Sequence, residues 1–141
     1  MSLRTASQSP GADWQALVRK NGTKEFASAF APSPVLDTSV LCGPCQGVDA
    51  IAAFFVATTS GMYDSLTFTS ATVDGTKTYL EWEGKAFGRD VGGATTLMRN
   101  DAGLIESIRL YHRPLQIVQL FSAELAMRLK GKLDPSLFSA Q

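Results

Sequence analysis

The first part of the chain carries the spacing of two short helices. Apolar residues recur at i, i+3 and i+4 within residues 13–22, and the Asn-Gly pair that closes this segment is a typical helix C-cap. A second helix is predicted to start at Thr23 and to end before Pro32. We interpret Phe26 and Phe30, on the apolar side of this second helix, as core residues.

The middle of the chain predicts one strand and one buried helix. Residues 35–41 are rich in β-branched side chains, which favours a strand, and the Gly and Pro residues of segment 43–47 break it. From Val48 to Thr58, apolar residues cover more than one face of a predicted helix. A helix of this composition is largely buried.

From residue 63 onward the pattern changes to period two. Leu80 and Trp82 alternate with Glu81 and Glu83, so one face of this segment is apolar and the other is polar. Turns rich in Gly, Asn and Asp separate the successive segments. The pattern predicts four consecutive antiparallel strands at residues 63–73, 78–88, 94–99 and 104–113, with turns at Asp74-Gly75, Gly92-Gly93 and residues 100–103.

A last helix and the segregation of helices from strands define the fold class. Residues 115–129 follow Pro114 and have apolar residues along one side, which predicts a C-terminal helix. The class is α+β, and we expect a cone-shaped curved antiparallel sheet of about four to six strands, covered by three N-terminal helices, with the C-terminal helix in addition. We expect a flexible tail at residues 1–11, one domain at 12–130 and a polar tail at 131–141.

Composition and charge argue against several classes of function. The 141-residue chain holds 13 basic and 13 acidic residues, so it lacks the excess of Lys and Arg that binds nucleic acids or anionic membranes. No apolar run reaches the roughly 18 residues of a membrane-spanning helix, and the N-terminus lacks the apolar stretch of a signal peptide. We therefore expect a cytoplasmic protein with no nucleic-acid or membrane partner, whose two cysteines are thiols.

Six short motifs follow one another along the chain. They are F-A-x-x-F-A at 26–31, V-L-D at 35–37, G-V-D-A-I-A-A-F-F at 47–55, L-E-W-E-G-K-A-F-G at 80–88, L-M-R-N-D-A-G-L-I at 97–105 and Y-H-R-P at 111–114. In this order and spacing they resemble the nuclear transport factor 2-like superfamily and, within it, the SnoaL-like and ketosteroid isomerase-like proteins. The resemblance implies a conical fold with a pocket for a small hydrophobic molecule and a homodimer through the outer sheet face. It also implies isomerisation, dehydration, aldol cyclisation or epoxide hydrolysis, or binding alone.

The resemblance also assigns expectations to single residues. The general-base aspartate of ketosteroid isomerases matches Asp37, and a position that lines the cavity in relatives matches His112. The aspartic acid that completes their oxyanion hole falls on Thr96, and their oxyanion-hole tyrosine belongs to the first helix, where this chain has Trp14. At these positions the chain therefore has the general base of ketosteroid isomerases but neither of their two oxyanion-hole residues.

Asp37 and His112 are the catalytic candidates. An aspartate in an apolar run suits a general base or acid, because burial disfavours its charged form. His112 is the only histidine, and strand parity puts it on the face of Ile108 and Leu110, from which it could pair with Asp37 across the cone. The alternatives are an Asp37 carboxylate bonded to backbone amides, and a His112 that bonds a backbone carbonyl or faces water.

Seven side chains are predicted to line the ligand pocket. Their aromatic N–H and O–H groups would be polar handles in an otherwise apolar site. The alternative is that Trp82 and Met98 simply fill the core. The predicted lining residues are Trp14, Tyr63, Leu80, Trp82, Thr96, Met98 and Leu110. Charged residues on the opposite face of the sheet, with Tyr79 and Phe87, are interpreted as a solvated face or the homodimer interface.

The segment Cys42-Gly43-Pro44-Cys45 has the sequence of a thioredoxin motif, in which a helix N-terminus activates the first thiol. However, Leu41 stands where thioredoxins have tryptophan, and no βαβ pattern follows. We favour two surface-loop thiols at the mouth of the pocket. A single histidine far along the chain does not complete a zinc site, so no metal or other cofactor is expected.

Three functional hypotheses follow from these observations. The first is a protein that binds a small hydrophobic molecule and performs cofactor-free acid–base chemistry with Asp37 and His112. The second is a non-catalytic binding or dimerisation module of the same fold, and the third is a thiol oxidoreductase. The first requires Asp37 and His112 to point into one cavity, whereas an Asp37 or His112 that faces solvent favours the second.

Overall fold

Residues 11–138 fold into four α-helices and six β-strands. The structure is a computed structural model that describes these residues, so the predicted tail at 1–11 lies outside the described residues except for Gly11. In chain order the elements are α1 (Ala12–Lys20), α2 (Thr23–Ser28), β1 (Phe30–Thr38), β2 (Cys45–Gln46), α3 (Val48–Thr59), β3 (Ser65–Asp74), β4 (Lys77–Ala86), β5 (Arg89–Arg99), β6 (Ile105–Arg113) and α4 (Leu115–Arg128).

The six strands form one curved, open sheet in the order β2-β1-β6-β5-β4-β3. Strands β3 to β6 are consecutive antiparallel neighbours, which confirms the predicted α+β class and the four-strand meander. β1 runs parallel to β6, with Leu36 opposite Ile108, and this is the one parallel pair among the described strands of the otherwise antiparallel sheet. Parallel neighbours need a long connection, and the chain between β1 and β6 supplies it.

Helices α1 to α3 cover the inner face of the sheet. α3 is the most deeply buried of them, as its composition predicted: Ile51 and Phe54 are fully inaccessible. Trp14 of α1 and Phe26 of α2 both pack on Phe55 of α3, with ring centroids 4.9 and 5.5 Å away. Each buried aromatic of this kind contributes about 2 kcal/mol, so this cluster holds the three helices together.

The beginning of β1 differs from the prediction. α2 ends at Ser28 and Phe30 already belongs to β1, so Pro32 and Pro34 lie inside a strand rather than after a helix. The pairing of β1 with β6 shifts between Phe30 and Val35. Proline is tolerated at such an irregularity because it has no N–H to donate to the regular ladder.

The turn between β4 and β5 also differs from the prediction. Phe87 and Gly88, both with positive φ, form it, whereas Gly92 and Gly93 lie inside β5. Gly93 is opposite Trp82 of β4, and a Cβ at Gly93 would collide with the indole ring. Gly93 therefore permits the close packing of a tryptophan and does not make a turn.

The C-terminal part of the chain packs onto the domain. α4 follows Pro114 as predicted and lies against β6 and α3. After α4, Leu133 is buried, and the backbone N–H of Cys42 donates to the carbonyl oxygen of Leu137 at 2.6 Å. The prediction of a tail from residue 131 is wrong for 131–138, because isolated apolar residues in this segment find partners on the domain.

Candidate ligand-binding site

The interior of the cone is almost filled by side chains. A cavity of about 20 Å³ remains between the inner sheet face and helices α1 and α3, which is room for about one water molecule. A ligand-sized pocket was predicted inside the cone. That prediction is wrong, because the side chains of residues 11–138 leave only this small cavity there. Larger side chains around the cavity are Trp14, Phe55, Tyr63, Leu66, Trp82 and Leu110.

An open groove of about 480 Å³ lies at the mouth of this cavity, between α1, the end of α3 and β3. We call it the mouth groove. It shares Val18, Thr59, Tyr63, Leu66 and Phe68 with the cavity, so the two spaces are continuous. The remaining lining residues are polar and lie at the rim: Gln15, Arg19, Ser65 and Thr67. Its volume and its apolar base with a few polar groups match the properties of small-molecule sites.

A second groove of about 490 Å³ lies between α3 and α4. Its base is formed largely by small residues of α3, such as Ala50 and Ala53, and Asp49 and Lys132 flank it. This groove shares no lining residue with the cone cavity and has no aromatic side chain in its lining. The mouth groove is therefore the better candidate site.

Tyr63 and His112 form a polar pair beside the inner face of the sheet. The Tyr63 hydroxyl lies 2.6 Å from Nε2 of His112. His112 is 5% exposed, and its ring packs against Phe121 at 4.6 Å and Trp82 at 5.0 Å between centroids. Burial lowers the pKa of His112 to about 3 and raises the pKa of the enclosed Tyr63 hydroxyl. Tyr63 as a whole residue is half-buried. Both groups are therefore neutral at physiological pH.

The indole N–H of Trp82 is already bonded. It donates to the hydroxyl oxygen of Thr95 at 3.1 Å. Both residues lie on the inner face, because Trp82 and Leu80 are opposite Gly93 and Thr95 in the β4–β5 pairing. This indole was predicted to be a polar handle for a ligand, but its N–H instead satisfies a buried hydroxyl.

Asp37 does not lie in the cone. It is exposed on the outer face of the sheet, opposite Arg109, whereas its neighbours Leu36 and Thr38 are buried. His112 is on the inner face, so the expectation that Asp37 and His112 meet in one cavity is wrong. The physical reason is strand parity: successive residues point to opposite faces, and Leu36 takes the core position of the V-L-D motif.

Thr96 and Met98 are also on the outer face, contrary to the prediction. Thr95 and Leu97 occupy the buried positions of β5. Thr96 and Met98 alternate with these buried positions, so a prediction that is off by one residue puts them on the wrong face. Of the other predicted lining residues, Trp14, Tyr63, Trp82 and Leu110 lie around the cavity, and Leu80 is buried on the same face.

The two cysteines differ in exposure and neither lies in the first turn of a helix. Cys42 is exposed, whereas Cys45 is buried in β2, and burial raises the pKa of its thiol to about 11. α3 begins only at Val48, so its N-terminus does not activate either thiol as in a thioredoxin. The expectation of two surface thiols is correct for Cys42 and wrong for Cys45.

Two other kinds of site find no support among residues 11–138. No group of three or more His, Cys, Asp or Glu side chains there is close enough to hold a metal ion. No helix of the described part of the chain is long and apolar enough to cross a membrane.

The sequence analysis missed most residues of the mouth groove. Leu66 and Phe68 alternate with Ser65 and Thr67 along β3, so strand parity alone was a signal for them. Arg19 had no such signal, because an exposed arginine at a helix end is ordinary. Only the packing of α1 against β3 brings it to the rim of the groove.

Known structures share the fold of this chain, although no protein-family model and no curated protein matches its sequence. An uncharacterized protein with a cystatin-like fold from Silicibacter pomeroyi DSS-3 is 19% identical, with a TM-score of 0.80 over 86% of this chain and 85% of that one. A steroid delta-isomerase from Pseudomonas aeruginosa is 17% identical, with a TM-score of 0.77 over 93% and 96%. A protein of unknown function from Cytophaga hutchinsonii ATCC 33406, described as NTF2-like, is 9% identical, with a TM-score of 0.61 over 83% and 98%.

Proposed function

We propose, from the nuclear transport factor 2-like fold that this chain adopts, that the protein binds a small, mainly apolar molecule in the mouth groove. The observation that carries the proposal is the continuity of this groove with the cone interior through Tyr63, Leu66 and Phe68. These three side chains are only partly buried. A ligand in the groove therefore covers apolar surface that is otherwise exposed at the edge of the core.

A bulky substitution in the groove tests this proposal. Gln15→Trp fills the groove from α1, and Gln119→Trp, on the exposed surface of α4, is the matched control. The probe is the dye anilinonaphthalene sulfonate, with its position determined by NMR chemical-shift changes. We expect Gln15→Trp to weaken binding at least about tenfold, while the control binds as wild type. Shift changes confined to the groove between α3 and α4 would refute the proposal.

A cofactor-independent acid–base enzyme is the second candidate, and the Tyr63–His112 pair favours it. Asp37 is on the opposite face of the sheet, so in this version of the hypothesis Tyr63 faces the substrate and the buried His112 acts through its hydrogen bond to Tyr63. The assay follows the isomerisation of an unconjugated ketosteroid to its conjugated enone by ultraviolet absorbance. The enzyme hypothesis expects turnover that Tyr63→Phe abolishes and Asp37→Asn leaves unchanged. Groove binding without turnover supports the non-catalytic binding module.

We also propose a homodimer through the outer face of the sheet. Tyr79 and Tyr111 are exposed there, beside Arg109 and the other charged residues of that face. Tyrosine and arginine are enriched at protein interfaces. Light scattering after size exclusion should give a dimer for wild type and a monomer for Tyr111→Glu. Leu115→Glu, at a more exposed apolar site on α4, should remain a dimer.

A further inference from the structure

We propose that the ligand of the mouth groove is the C-terminal end of an extended peptide, which adds to β3 as an antiparallel strand and places its carboxylate at Arg19. This inference rests on the proposed binding function and names the ligand class. In strand addition, main-chain hydrogen bonds give affinity, and the pockets for alternate side chains give specificity.

The free edge of β3 is the first observation. β3 lies at one end of the sheet, and among residues 11–138 its backbone pairs with β4 alone. The N–H and C=O groups of successive residues point alternately to the two sides of a strand. Two of the four residues at 65–68 therefore direct these groups away from β4.

This edge borders the mouth groove. Leu66 and Phe68 also line the cone cavity, whereas Ser65 and Thr67 also line a depression on the outer face of the sheet. All four consecutive residues line the mouth groove. Because consecutive side chains point to opposite faces, a groove that contacts all four runs along the backbone edge between the faces.

The edge of β3 lacks the usual protection against strand pairing. Exposed edge strands are usually very short, or carry charged residues, prolines or bulges. The opposite edge strand, β2, has only two residues, whereas β3 has ten and contains no proline and no charged residue before Asp74. Its register shift lies between Phe68 and Ser70. The regular part at 65–68 therefore offers a pairing edge for a short strand.

Arg19 provides the charge that the peptide complements. It is the one charged side chain among the described lining residues of the mouth groove, and it forms no ion pair with another described residue. Asp64, which precedes β3, accepts the backbone N–H of Gly88 and does not line the groove. A carboxylate is the anionic group that the guanidinium fork fits best in a peptide.

The course of α1 sets the direction of the peptide. The side-chain amide of Asn21 ties the end of α1 to the carbonyl oxygen of Thr59, which lies shortly before β3 begins. At the start of α1, Gly11 lies against Leu80, and Leu80 is opposite Ala71 in the second half of β3. α1 therefore runs opposite to β3, with Arg19 near the end where β3 begins. A peptide antiparallel to β3 brings its C-terminal carboxylate to this end.

Backbone methylation of a peptide tests strand addition. The probe is acetyl-Thr-Val-Thr-Val with a free carboxylate, and its two analogues are N-methylated at both threonines or at both valines. One analogue has its methyl groups toward β3 and the other has them toward solvent, because alternate N–H groups point to opposite sides. We expect one analogue to bind as the parent peptide does and the other at least about tenfold more weakly. The NMR shift changes on binding should be largest for the amides of residues 65–68.

The end group is tested with the same peptide carrying a C-terminal amide. Wild type should bind the carboxylate form about threefold more tightly, the size expected for an exposed ion pair. Arg19→Gln should remove this preference. Lys130→Gln, which removes an exposed positive charge outside the groove, should keep it.

The outcomes separate this inference from the proposed function. Equal binding of the two N-methylated analogues, or of the carboxylate and amide forms by wild type, would overturn the inference. If anilinonaphthalene sulfonate shifts NMR signals of the mouth groove and the peptide shifts none, the inference fails while the proposed function stands. If neither probe shifts these signals, both fail.

Discussion

Acidification should destabilise this protein through His112. The imidazole is 5% exposed, and burial lowers its pKa from 6.5 to about 3. In the unfolded chain the imidazole keeps its ordinary pKa, so below about pH 6.5 the unfolded state binds a proton that the folded state does not. The stability that comes from a neutral His112 is therefore fully present above pH 6.5 and decreases as the pH falls toward 3.

The size of the effect follows from the two pKa values. Between about pH 7 and about pH 4, protonation of the unfolded imidazole should lower the free energy of unfolding by about 3 kcal/mol. The folded state regains little of this, because its own pKa lies near 3. A loss of this size is a large fraction of the roughly 5–15 kcal/mol that stabilises an ordinary domain.

Urea denaturation at a series of pH values measures this loss. His112→Gln is the comparison, because its amide can still bond Tyr63 but does not titrate. Asp and Glu residues titrate in both proteins, so the difference between the two curves isolates His112. Wild type should lose about 3 kcal/mol more than the variant between about pH 7 and about pH 4. Parallel curves, or an NMR titration of His112 with a midpoint near 6.5, would refute the reasoning.

Two further predictions concern packing and thiol reactivity. Gly93→Ala should destabilise the protein by about 2 kcal/mol in thermal unfolding, because its Cβ collides with the carbonyl oxygen of Tyr111 and with the ring of Trp82. Gly43→Ala, with its nearest neighbour atom 3.9 Å away, should change little, and equal effects of the two substitutions would contradict the packing argument. Iodoacetamide followed by mass spectrometry should modify Cys42 in the folded protein and Cys45 only under denaturing conditions. Modification of Cys45 at the rate of Cys42 would show that the thiol is not enclosed.

Much of the fold could be predicted because its signals are local. α3 is apolar on more than one face, and only a buried position suits such a helix. The period-two pattern of β4 put Leu80 and Trp82 on one face, and both are buried. These patterns depend on residues that are neighbours in sequence, so no tertiary information was needed to interpret them.

The candidate site was less predictable because it depends on register and on distant contacts. Thr96 and Met98 were assigned to the core face of β5, but Thr95 and Leu97 occupy it, since one residue of shift reverses every side chain of a strand. Asp37 was assigned to the cone from the resemblance to ketosteroid isomerases and from the apolar character of its neighbours, but a strand alternates its faces even in an apolar run.

The sequence by itself determined the α+β class, the four-strand meander and the apolar face of β4, because backbone periodicity and turn chemistry are local properties. Only the tertiary structure decided what the cone encloses. The hydroxyl of Tyr63 and the ring of His112, 49 positions apart, meet at 2.6 Å through the pairing of distant strands. Whether the interior is a pocket or a packed core depends on how all the side chains fill it together, and here they leave about 20 Å³.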